Sequence, residues 1–392
     1  MKVLQFITRL DLGGAQETCL QQCRLLLEEG HEVHLLTAPG GGLLADARAL
    51  AGLHLHVWSN WAHAVAPLRD LRCLLRLARM LRSERFDVLH THSSKAGIVG
   101  RLAALLAGGA IRVFHHVHGW SFNPCQSRLA HRAFVVLERL AARPGFVLLA
   151  CSEATAAEGR QAGIGREEDR KVLNYGIDRR PNLRRRHRDA IRRRLGLGRR
   201  DVLFLLVGNL KLQKDPLTFA AASVAAGRPL RRGRFWIVGD GPLRGEAERI
   251  ARAGGLGKRF RLLGWRRDVP DLLAAADVLV LTSRFEGLPI ALLRGMAAGL
   301  PIVATAVNGI PEAVRDAGIL VPPQDPGSAA AAFLALGRDP RRRRILGQRG
   351  RRRSAAYTER RARLELLALY GALAAQAGAG SRDRVGLTGV PD

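Results

Sequence analysis

The chain has 392 residues, of which 47% are hydrophobic and 25% are charged. This is enough for two domains with their own cores, and it excludes both a disordered chain and a small disulfide-stabilised scaffold. Lys and Arg number 63 against 34 Asp and Glu, a net charge of +29. Almost all of the basic residues are arginine, which is as typical of a GC-rich coding sequence as of phosphate binding, so nucleic acid is not an expected partner.

Short apolar runs alternate with segments of helical periodicity in the first half of the chain. This pattern is typical of a parallel sheet that is covered by helices on both faces. Amphipathic helices are predicted over 15–29 and 69–82. Strands are predicted at 3–7, 33–37, 88–91, 112–115 and 147–151.

Two glycines, Gly13 and Gly14, stand between the first predicted strand and the first predicted helix. Their backbone amides could approach a phosphate or an acceptor closely. The complete glycine spacing of dinucleotide-binding proteins is absent, which argues against a nicotinamide dehydrogenase. A tight strand-to-helix turn explains the two glycines equally well.

Histidines end two neighbouring predicted strands, at the sheet edge where open α/β sheets bind ligands. His90, His92 and Ser93 end one strand, and His118 follows the next. His118 precedes a glycine and is placed to hydrogen-bond a small polar substrate, although a purely structural role is the alternative. Zinc is not expected at His90 and His92, because no third ligand lies near them in the sequence.

Two segments carry much of the positive charge: 181–200 and 338–353 each contain nine arginines and one aspartate. Both are poor in aromatic residues, unlike the surfaces that bind single-stranded nucleic acid. They are interpreted as solvated helices that could rest on anionic lipid headgroups. The helix at 68–82 also combines leucines with arginines, which suits either an anionic membrane surface or ordinary core packing.

The second half repeats the alternation, so two doubly wound α/β domains are predicted. The boundaries are 1–180 for the first domain, 181–200 for an arginine-rich linker and 201–356 for the second domain. A helix at 357–377 could cross back to the first domain, and 378–392 reads as a disordered tail. The second set of predicted strands is 202–207, 235–238, 260–263, 278–281, 302–304 and 319–321.

Two strand-to-helix turns of the second half have the composition of an anion site. In the first, Lys211 and Lys214 can face a diphosphate, and Asp215 caps a helix that starts with Pro216. In the second, a helix is expected over 290–298, and Pro289 is suited to the first helical position. The backbone amides of Leu288 and Ile290 are expected to be free to bind an anion there.

The order of these motifs resembles the family 4 glycosyltransferases over about residues 1–375. The motifs are the early Gly-Gly pair, His-Thr-His, His-Val-His-Gly-Trp, Gly-Asn-Leu followed by Gln-Lys-Asp-Pro, Gly-Asp-Gly-Pro, Glu-Gly-Leu-Pro and Met-Ala-Ala-Gly-Leu-Pro. The resemblance implies the GT-B fold, in which two Rossmann-like domains enclose the active site. It also implies transfer of a sugar from a nucleotide donor with retention of configuration, with the acceptor on the first domain and the donor on the second.

By position, the resemblance implies that His118, Lys214 and Glu286 are the catalytic residues. His118 would lie beside the transferring sugar, Lys214 on the donor diphosphate, and Glu286 on sugar hydroxyls. The implied acceptor residues are Gly13, His92 and Ser93. The implied donor residues are Gly14, Asn209, Lys211, Lys214, Gly241, Arg266, Glu286, Gly287, Leu288, Ile290 and Arg294.

Two positions depart from the family pattern. Asn209 stands where an arginine is usual beside the phosphate-binding lysine, and Lys211 could supply that charge. Arg294 stands eight residues after Glu286, where a ribose-binding glutamate is usual, and an arginine cannot accept hydroxyl hydrogen bonds. Arg294 is expected either to pair with Glu286 or to contact a donor phosphate, or else to point away from the cleft.

The resemblance therefore implies a glycosyltransferase that needs neither metal nor cofactor, and the absence of an Asp-x-Asp motif from the chain agrees with this. The resemblance also implies a UDP- or GDP-sugar as donor and a glycan or lipid-linked acceptor, in cell-surface polysaccharide synthesis. The five scattered cysteines and the lack of a signal peptide or membrane span favour a cytoplasmic protein, with peripheral contact at the inner membrane face as an option. The alternative function is a non-catalytic protein that binds a sugar nucleotide or a lipid headgroup.

Overall fold

The computed structural model describes residues 1–62, 64–108, 111–178 and 185–382. It contains two parallel sheets, one of seven strands in the order β3-β2-β1-β4-β5-β6-β7 and one of six in the order β10-β9-β8-β11-β12-β13. Helices connect the strands in both halves, so the prediction of two doubly wound sheets is confirmed.

The first sheet extends from the first residues of the chain to residue 172. Its strands are β1 (Lys2–Ile7), β2 (Glu32–Thr37), β3 (Leu53–Val57), β4 (Val88–His92), β5 (Arg112–Val117), β6 (Val147–Ala150) and β7 (Arg170–Val172). Its helices are α1 (Gly14–Glu28), α2 (Leu44–Arg48), α3 (Pro67–Glu84), α4 (Ser94–Ala107), α5 (Arg128–Ala141) and α6 (Glu153–Gln161). The sequence patterns missed β3 and β7, which are the two edge strands and carry histidines or charges in place of a continuous apolar run.

The second sheet and the helices around it follow from residue 185. Its strands are β8 (Val202–Val207), β9 (Gly233–Val238), β10 (Phe260–Leu262), β11 (Val278–Leu281), β12 (Ile302–Thr305) and β13 (Gly318–Val321). The helices are α7 (Arg185–Arg194), α8 (Pro216–Gly227), α9 (Arg244–Ala253), α10 (Val269–Ala275), α11 (Ile290–Ala297), α12 (Ile310–Val314), α13 (Pro326–Arg338), α14 (Pro340–Arg353) and α15 (Glu359–Arg382).

Central strands of the second sheet are buried on both faces. Leu203 and Leu205 of β8 belong to one apolar cluster, whereas Phe204 and Leu206 belong to another on the opposite face. Successive side chains of a strand point to opposite faces, so a strand that separates two apolar layers needs an uninterrupted apolar run. This is why the predicted strands of the second half match the structure closely.

The arginine-rich segment predicted as a linker contains a packed helix. Residues 181–184 lie outside the described part of the chain, and α7 packs against α10 of the second domain. Arg192 is buried and donates to the Asp277 carboxylate at 2.9 Å, and Arg188 donates to the same carboxylate at 2.7 Å. The expectation of a solvated helix at 181–200 is therefore wrong for these two arginines.

The last helix, α15, returns to the first domain. Leu366 and Tyr370 are buried in the apolar cluster of the first sheet, and the Tyr370 hydroxyl is 2.8 Å from His90 Nδ1. The helix continues to Arg382, so the predicted disordered tail does not begin at 378, and 383–392 lie outside the described residues. No helix among the described residues has the length and apolarity needed to span a membrane.

Candidate active site

Two cavities that share lining residues lie between the domains, at the carboxyl ends of the central strands. The inner cavity, of about 320 Å³, is lined from the first domain by Gly13, Gly14 and His118, and from the second by Lys214 and Glu286. The outer cavity, of about 890 Å³, shares His118 and Glu286 with it and extends along α5. Open α/β sheets bind ligands at this edge, so the cavities are the candidate active site.

His118 is held in a chain of hydrogen bonds. Its Nδ1 lies 2.7 Å from the Tyr175 hydroxyl and its Nε2 lies 2.9 Å from His92 Nδ1. His92 Nε2 in turn lies 2.7 Å from Gln5 Oε1. With Gln5 accepting, one proton assignment satisfies the whole chain: His92 donates to Gln5, His118 donates to His92, and Tyr175 donates to His118.

His118 and His92 are both neutral. Burial is the largest cause that lowers the pKa of His118 and of His92 well below the usual histidine range, and neighbouring histidines lower it further. A neutral His118 offers no positive charge to a leaving phosphate, so its place beside both cavities suits hydrogen bonding and shape. His92, predicted to contact the acceptor, is completely buried behind His118 and does not line either cavity.

Lys214 and Glu286 form the central polar pair of the inner cavity. Lys214 Nζ lies 2.5 Å from Glu286 Oε1, which also accepts a hydrogen bond from Ser283 Oγ at 2.6 Å. Asp215 caps α8 through its side chain, with Pro216 as the first helical residue, as the sequence predicted. This cap fixes the end of the loop that contains Lys214, called the lysine loop. The Arg284 amide donates to Gln213 O at 2.8 Å and so holds the lysine loop against the loop that contains Glu286, called the glutamate loop.

Asn308 fixes the backbone of Glu286 and links it to the first domain. The Glu286 amide donates to Asn308 Oδ1 at 2.9 Å, and Asn308 Nδ2 donates to the Glu158 carboxylate of α6. Burial is the largest cause that raises the pKa of Glu158. The position of the glutamate loop therefore depends on the packing of the two domains.

Gly287 allows the closest approach of the two domains at the site. A Cβ at this position would lie 2.2 Å from the His118 carbonyl oxygen and 2.7 Å from Cys151 Sγ. Cys151 is buried, and burial raises its pKa to about 11 although the Leu288 backbone hydrogen-bonds to it. Anion binding by the Leu288 amide stays a prediction, and Leu288 lines the inner cavity. The Ile290 amide lies in the first turn of α11, where N–H groups lack intrahelical acceptors. Pro289 is the N-cap and not the first helical residue.

Arg294 lies in the wall of the inner cavity and does not pair with Glu286. Its Nη2 donates to the Glu17 carboxylate of α1 at 2.6 Å, across the boundary between the domains. Both residues line the inner cavity. The expected pairing with Glu286 is wrong, because Glu286 is held by Lys214 and Ser283.

The remaining predicted residues divide into those at the cavities and those behind them. Lys211 and Gly241 do not line either cavity. Lys211 is exposed, and Gly241 packs against the Leu210 carbonyl, where a Cβ would lie 2.7 Å from the oxygen. Ser93 lines the outer cavity and lies 2.7 Å from the Thr8 hydroxyl. The inner cavity is lined also by Asn209, Arg266, Gly287, Leu288 and Ile290.

Several site residues were not found from the sequence. Tyr175 and Glu17 line the inner cavity, whereas His131 and Arg139 line the outer one. The outer cavity wall contributed by α5 was also missed. Its residues follow no motif, and only the fold brings them to His118.

A third histidine does approach His90 and His92. His116, on the neighbouring strand β5, brings a ring nitrogen within 4.8 Å of theirs, which the sequence argument did not foresee. However, His92 uses both ring nitrogens in the chain to His118 and Gln5. Of the three histidines, only His90 Nε2 and His116 Nε2 have no hydrogen-bond partner among the described residues. Two such nitrogens are fewer than the four ligands of a structural zinc site.

Comparisons with known proteins agree on the kind of protein. Residues 13–176 match the family model described as glycosyl transferase 4-like domain, and residues 201–339 match glycosyl transferases group 1. The chain is 32% identical over 317 residues to the Escherichia coli UDP-Gal:alpha-D-GlcNAc-diphosphoundecaprenol alpha-1,3-galactosyltransferase, covering 76% of this chain and 77% of that protein. It is 24% identical to the Bacillus anthracis N-acetyl-alpha-D-glucosaminyl L-malate synthase, over 87% of this chain and 88% of that one.

Solved structures share the fold. The Anabaena protein HepE, solved with UDP and glucose, has a TM-score of 0.80 at 20% identity and covers 95% of this chain and 99% of its own. WaaG, a glycosyltransferase involved in lipopolysaccharide biosynthesis, has a TM-score of 0.76 at 18% identity, covering 92% and 99%. At these identities the likeness concerns the fold alone.

Proposed function

Because this chain belongs to the group 1 glycosyltransferases of the GT-B fold and uses a nucleotide sugar, we propose that it transfers a hexose from a UDP-sugar to a lipid-linked glycan acceptor with retention of configuration. The observation that carries the proposal is the inner cavity, where Lys214, Glu286 and the start of α11 meet His118 of the other domain. We assign the reaction to the inner face of the cytoplasmic membrane, in cell-surface polysaccharide synthesis.

The inner cavity has the groups that a departing diphosphate requires. Lys214 supplies a positive charge, and the first turn of α11 supplies backbone N–H groups and the positive end of the helix dipole. Charge that develops on the leaving phosphate is stabilised by such preorganised groups without a metal ion. Glu286 lies beside the lysine and can accept hydrogen bonds from sugar hydroxyls.

Retention follows in the proposal from attack on the face that the nucleotide leaves. The acceptor hydroxyl oxygen bonds to the sugar C1 while the bond from C1 to the phosphate oxygen breaks, and the hydroxyl proton passes to that departing oxygen. Glu286 is held by Lys214 and Ser283, which argues against its use as a nucleophile. Neutral His118 borders both cavities and would orient the sugar between them.

The UDP donor and the lipid-linked acceptor are supported by the Escherichia coli relative, whose name specifies UDP-Gal and a diphosphoundecaprenol acceptor. The size of the outer cavity supports an acceptor that is larger than a monosaccharide. Trp120, Phe122 and Val136 give it apolar walls, and Arg132 and Arg139 give it positive charge suited to an acceptor diphosphate.

Transfer is tested with a panel of labelled UDP- and GDP-sugars and a sugar-diphospho-polyprenol acceptor. The proposal predicts a labelled product whose anomeric configuration, determined by NMR, equals that of the donor sugar. Binding of the nucleotide sugar without any transfer would instead support the non-catalytic alternative. An inverted product would contradict the retaining mechanism.

Two lysines of one loop provide a matched pair of variants. Lys214→Ala should weaken UDP binding about 10- to 100-fold and uridine binding much less, because a charge-assisted contact to phosphate contributes about 1.5–3 kcal/mol. Lys211→Ala should leave both affinities nearly unchanged, since Lys211 is exposed and outside the cavities. Titration calorimetry measures both, and equal losses for UDP and uridine in Lys214→Ala would remove this residue from the phosphate site.

A further inference from the structure

Helix α5 turns its apolar residues towards solvent. Leu129, Val136, Leu137 and Leu140 are 81%, 51%, 40% and 60% exposed. Their spacing places all four on one side of the helix. A helix on the surface of a globular protein normally packs such a stripe against the core. The four residues are named here the α5 outer face.

The opposite side of α5 contains its two buried residues, Glu138 and Ala141. Glu138 is 1% exposed and forms an ion pair with the buried Arg101 of α4. Turning the helix to bury the leucines would expose this pair to water and leave Arg101 without its carboxylate, which is costly for a buried charge. The ion pair therefore fixes α5 with its apolar side outward.

Positive charge lies along one edge of the α5 outer face. Arg128, Arg132 and Arg139 lie on the helix and Arg143 follows its end, and all four are exposed. Glu138 is the one acid in the helix, and it points inward. A second copy of this chain would bring the same four charges against them, whereas an anionic lipid surface would neutralise them.

Helix α3 adds a second row of the same kind. Leu68, Leu71 and Leu75 are exposed, and so are Arg72 and Arg79 of the same helix. Helix α4 contacts both α3 and α5, so the three helices cover one face of the first sheet. The segment predicted at 68–82 therefore has one exposed apolar side and one buried side, and the buried side, which includes Ala78 and Leu81, packs in the core.

We propose that the α5 outer face, together with the exposed row of α3, docks on an anionic lipid bilayer. The outer cavity would then open beside the membrane surface, because Val135, Val136 and Arg139 of α5 form its wall and it reaches His118 and Glu286. That a lipid-linked acceptor enters the outer cavity from the bilayer rests on the proposed function. The docking itself needs no turnover and is tested separately.

The test is flotation of the full chain with phosphatidylcholine vesicles that contain about one third phosphatidylglycerol, compared with phosphatidylcholine alone. Wild type should float with the anionic vesicles and be released by raised salt. Leu129→Ser/Leu140→Ser should lower the partition coefficient at least ~10-fold, because two apolar side chains no longer enter the interface. Neither residue lines the outer cavity.

Two further double variants separate apolar from electrostatic binding. Ile345→Ser/Leu364→Ser removes two exposed apolar residues from the helices α14 and α15 and should bind vesicles like wild type. Arg128→Gln/Arg143→Gln should weaken binding to anionic vesicles about 10- to 30-fold at low salt, since each arginine near an anionic surface contributes about fivefold in affinity. Thermal unfolding confirms that each variant is folded.

Three results would overturn the docking surface. They are a wild type that does not float, a Leu129→Ser/Leu140→Ser variant that floats like wild type, and a wild-type dimer that this variant dissociates while vesicle binding is absent. Transfer to a short-chain, water-soluble acceptor is measured in parallel. Failure of wild type in that assay counts against the proposed function and does not alter the vesicle result.

Discussion

Arg294 shows how one side chain changes the connection between the two domains. The resemblance to the family implied a ribose-binding glutamate at this position, and the arginine pairs instead with Glu17 of α1. Both side chains are more than one third exposed, so the pair is worth little as a stabilising contact. Because both residues line the inner cavity, we expect the pair to influence how the two domains close around that cavity.

At the residue scale, we predict that Arg294→Glu raises the KM for the nucleotide sugar about three- to tenfold, because two carboxylates then face each other across the cleft. The charge swap Glu17→Arg/Arg294→Glu should restore most of the loss. Steady-state kinetics on the two single variants and the double variant form a double-mutant cycle. Purely additive effects would show that the pair has no influence on the site.

The buried histidines predict the response of the protein to acid. Burial lowers the pKa of His116 to about 4, and the unfolded value is about 6.5. The unfolded chain therefore binds more protons below pH 6.5, so the stabilising contribution is complete above that pH and is lost as the pH falls towards 4. His90, His92 and His118 shift in the same direction.

We expect the free energy of unfolding in urea to fall between pH 7.5 and pH 5. The share of His116 is about 2 kcal/mol, at 1.36 kcal/mol for each of about 1.5 pH units. His116→Gln, which can still hydrogen-bond to Gln22, should reduce the fall by that amount. An unfolding free energy that is the same at both pH values would contradict neutral buried histidines.

At the scale of elements, a buried arginine holds a helix to the segments that lead into the second sheet. Arg192 of α7 donates to the carbonyl oxygens of Ala275, Gly198 and Asp201 as well as to Asp277. The planar guanidinium with five donors can bind several acceptors at once, which lysine cannot do in the same geometry. Part of the arginine excess therefore stabilises the second domain and does not contribute to a surface for anions.

We predict that Arg192→Ala lowers the free energy of unfolding by about 3 kcal/mol, because it leaves buried carbonyl groups and part of the Asp277 carboxylate without a donor. Arg193→Ala, at the exposed neighbouring position, should change it by less than about 0.5 kcal/mol. Urea unfolding measures both. Equal effects of the two variants would show that α7 is held by general charge and not by the buried contacts.

At the scale of the whole molecule, the chain ends by returning to the domain in which it began. Tyr370 is 1% exposed, stacks on Phe114 of β5 with ring centroids 5.0 Å apart, and contacts His90. Arg363 of the same helix pairs with Glu28 and Glu29 at the end of α1. The core of the first domain is therefore complete only when α15 is in place.

Tyr370→Ala should lower the stability of the first domain by about 3–5 kcal/mol, since it removes a buried aromatic ring and its hydrogen bond. Leu364→Ala on the exposed side of α15 should change it by less than about 1 kcal/mol. Hydrogen exchange of β4 and β5 amides locates the loss. Protection of these strands that stays at the wild-type level in Tyr370→Ala would contradict a structural role for α15 in the first domain.

The sequence by itself determined the inner strands of the two parallel sheets and the loops that surround the inner cavity. Apolar runs that are buried on both faces, the Asp215 cap with Pro216 and the Glu286 loop all leave a local pattern, because neighbours in the chain produce them. Tertiary structure alone decided the ion pair of Arg294 with Glu17, the chain from Tyr175 through His118 to Gln5, and the outward turn of α5. These contacts join residues far apart in the chain, whose distance and direction depend on how complete domains pack, so no local pattern predicts them.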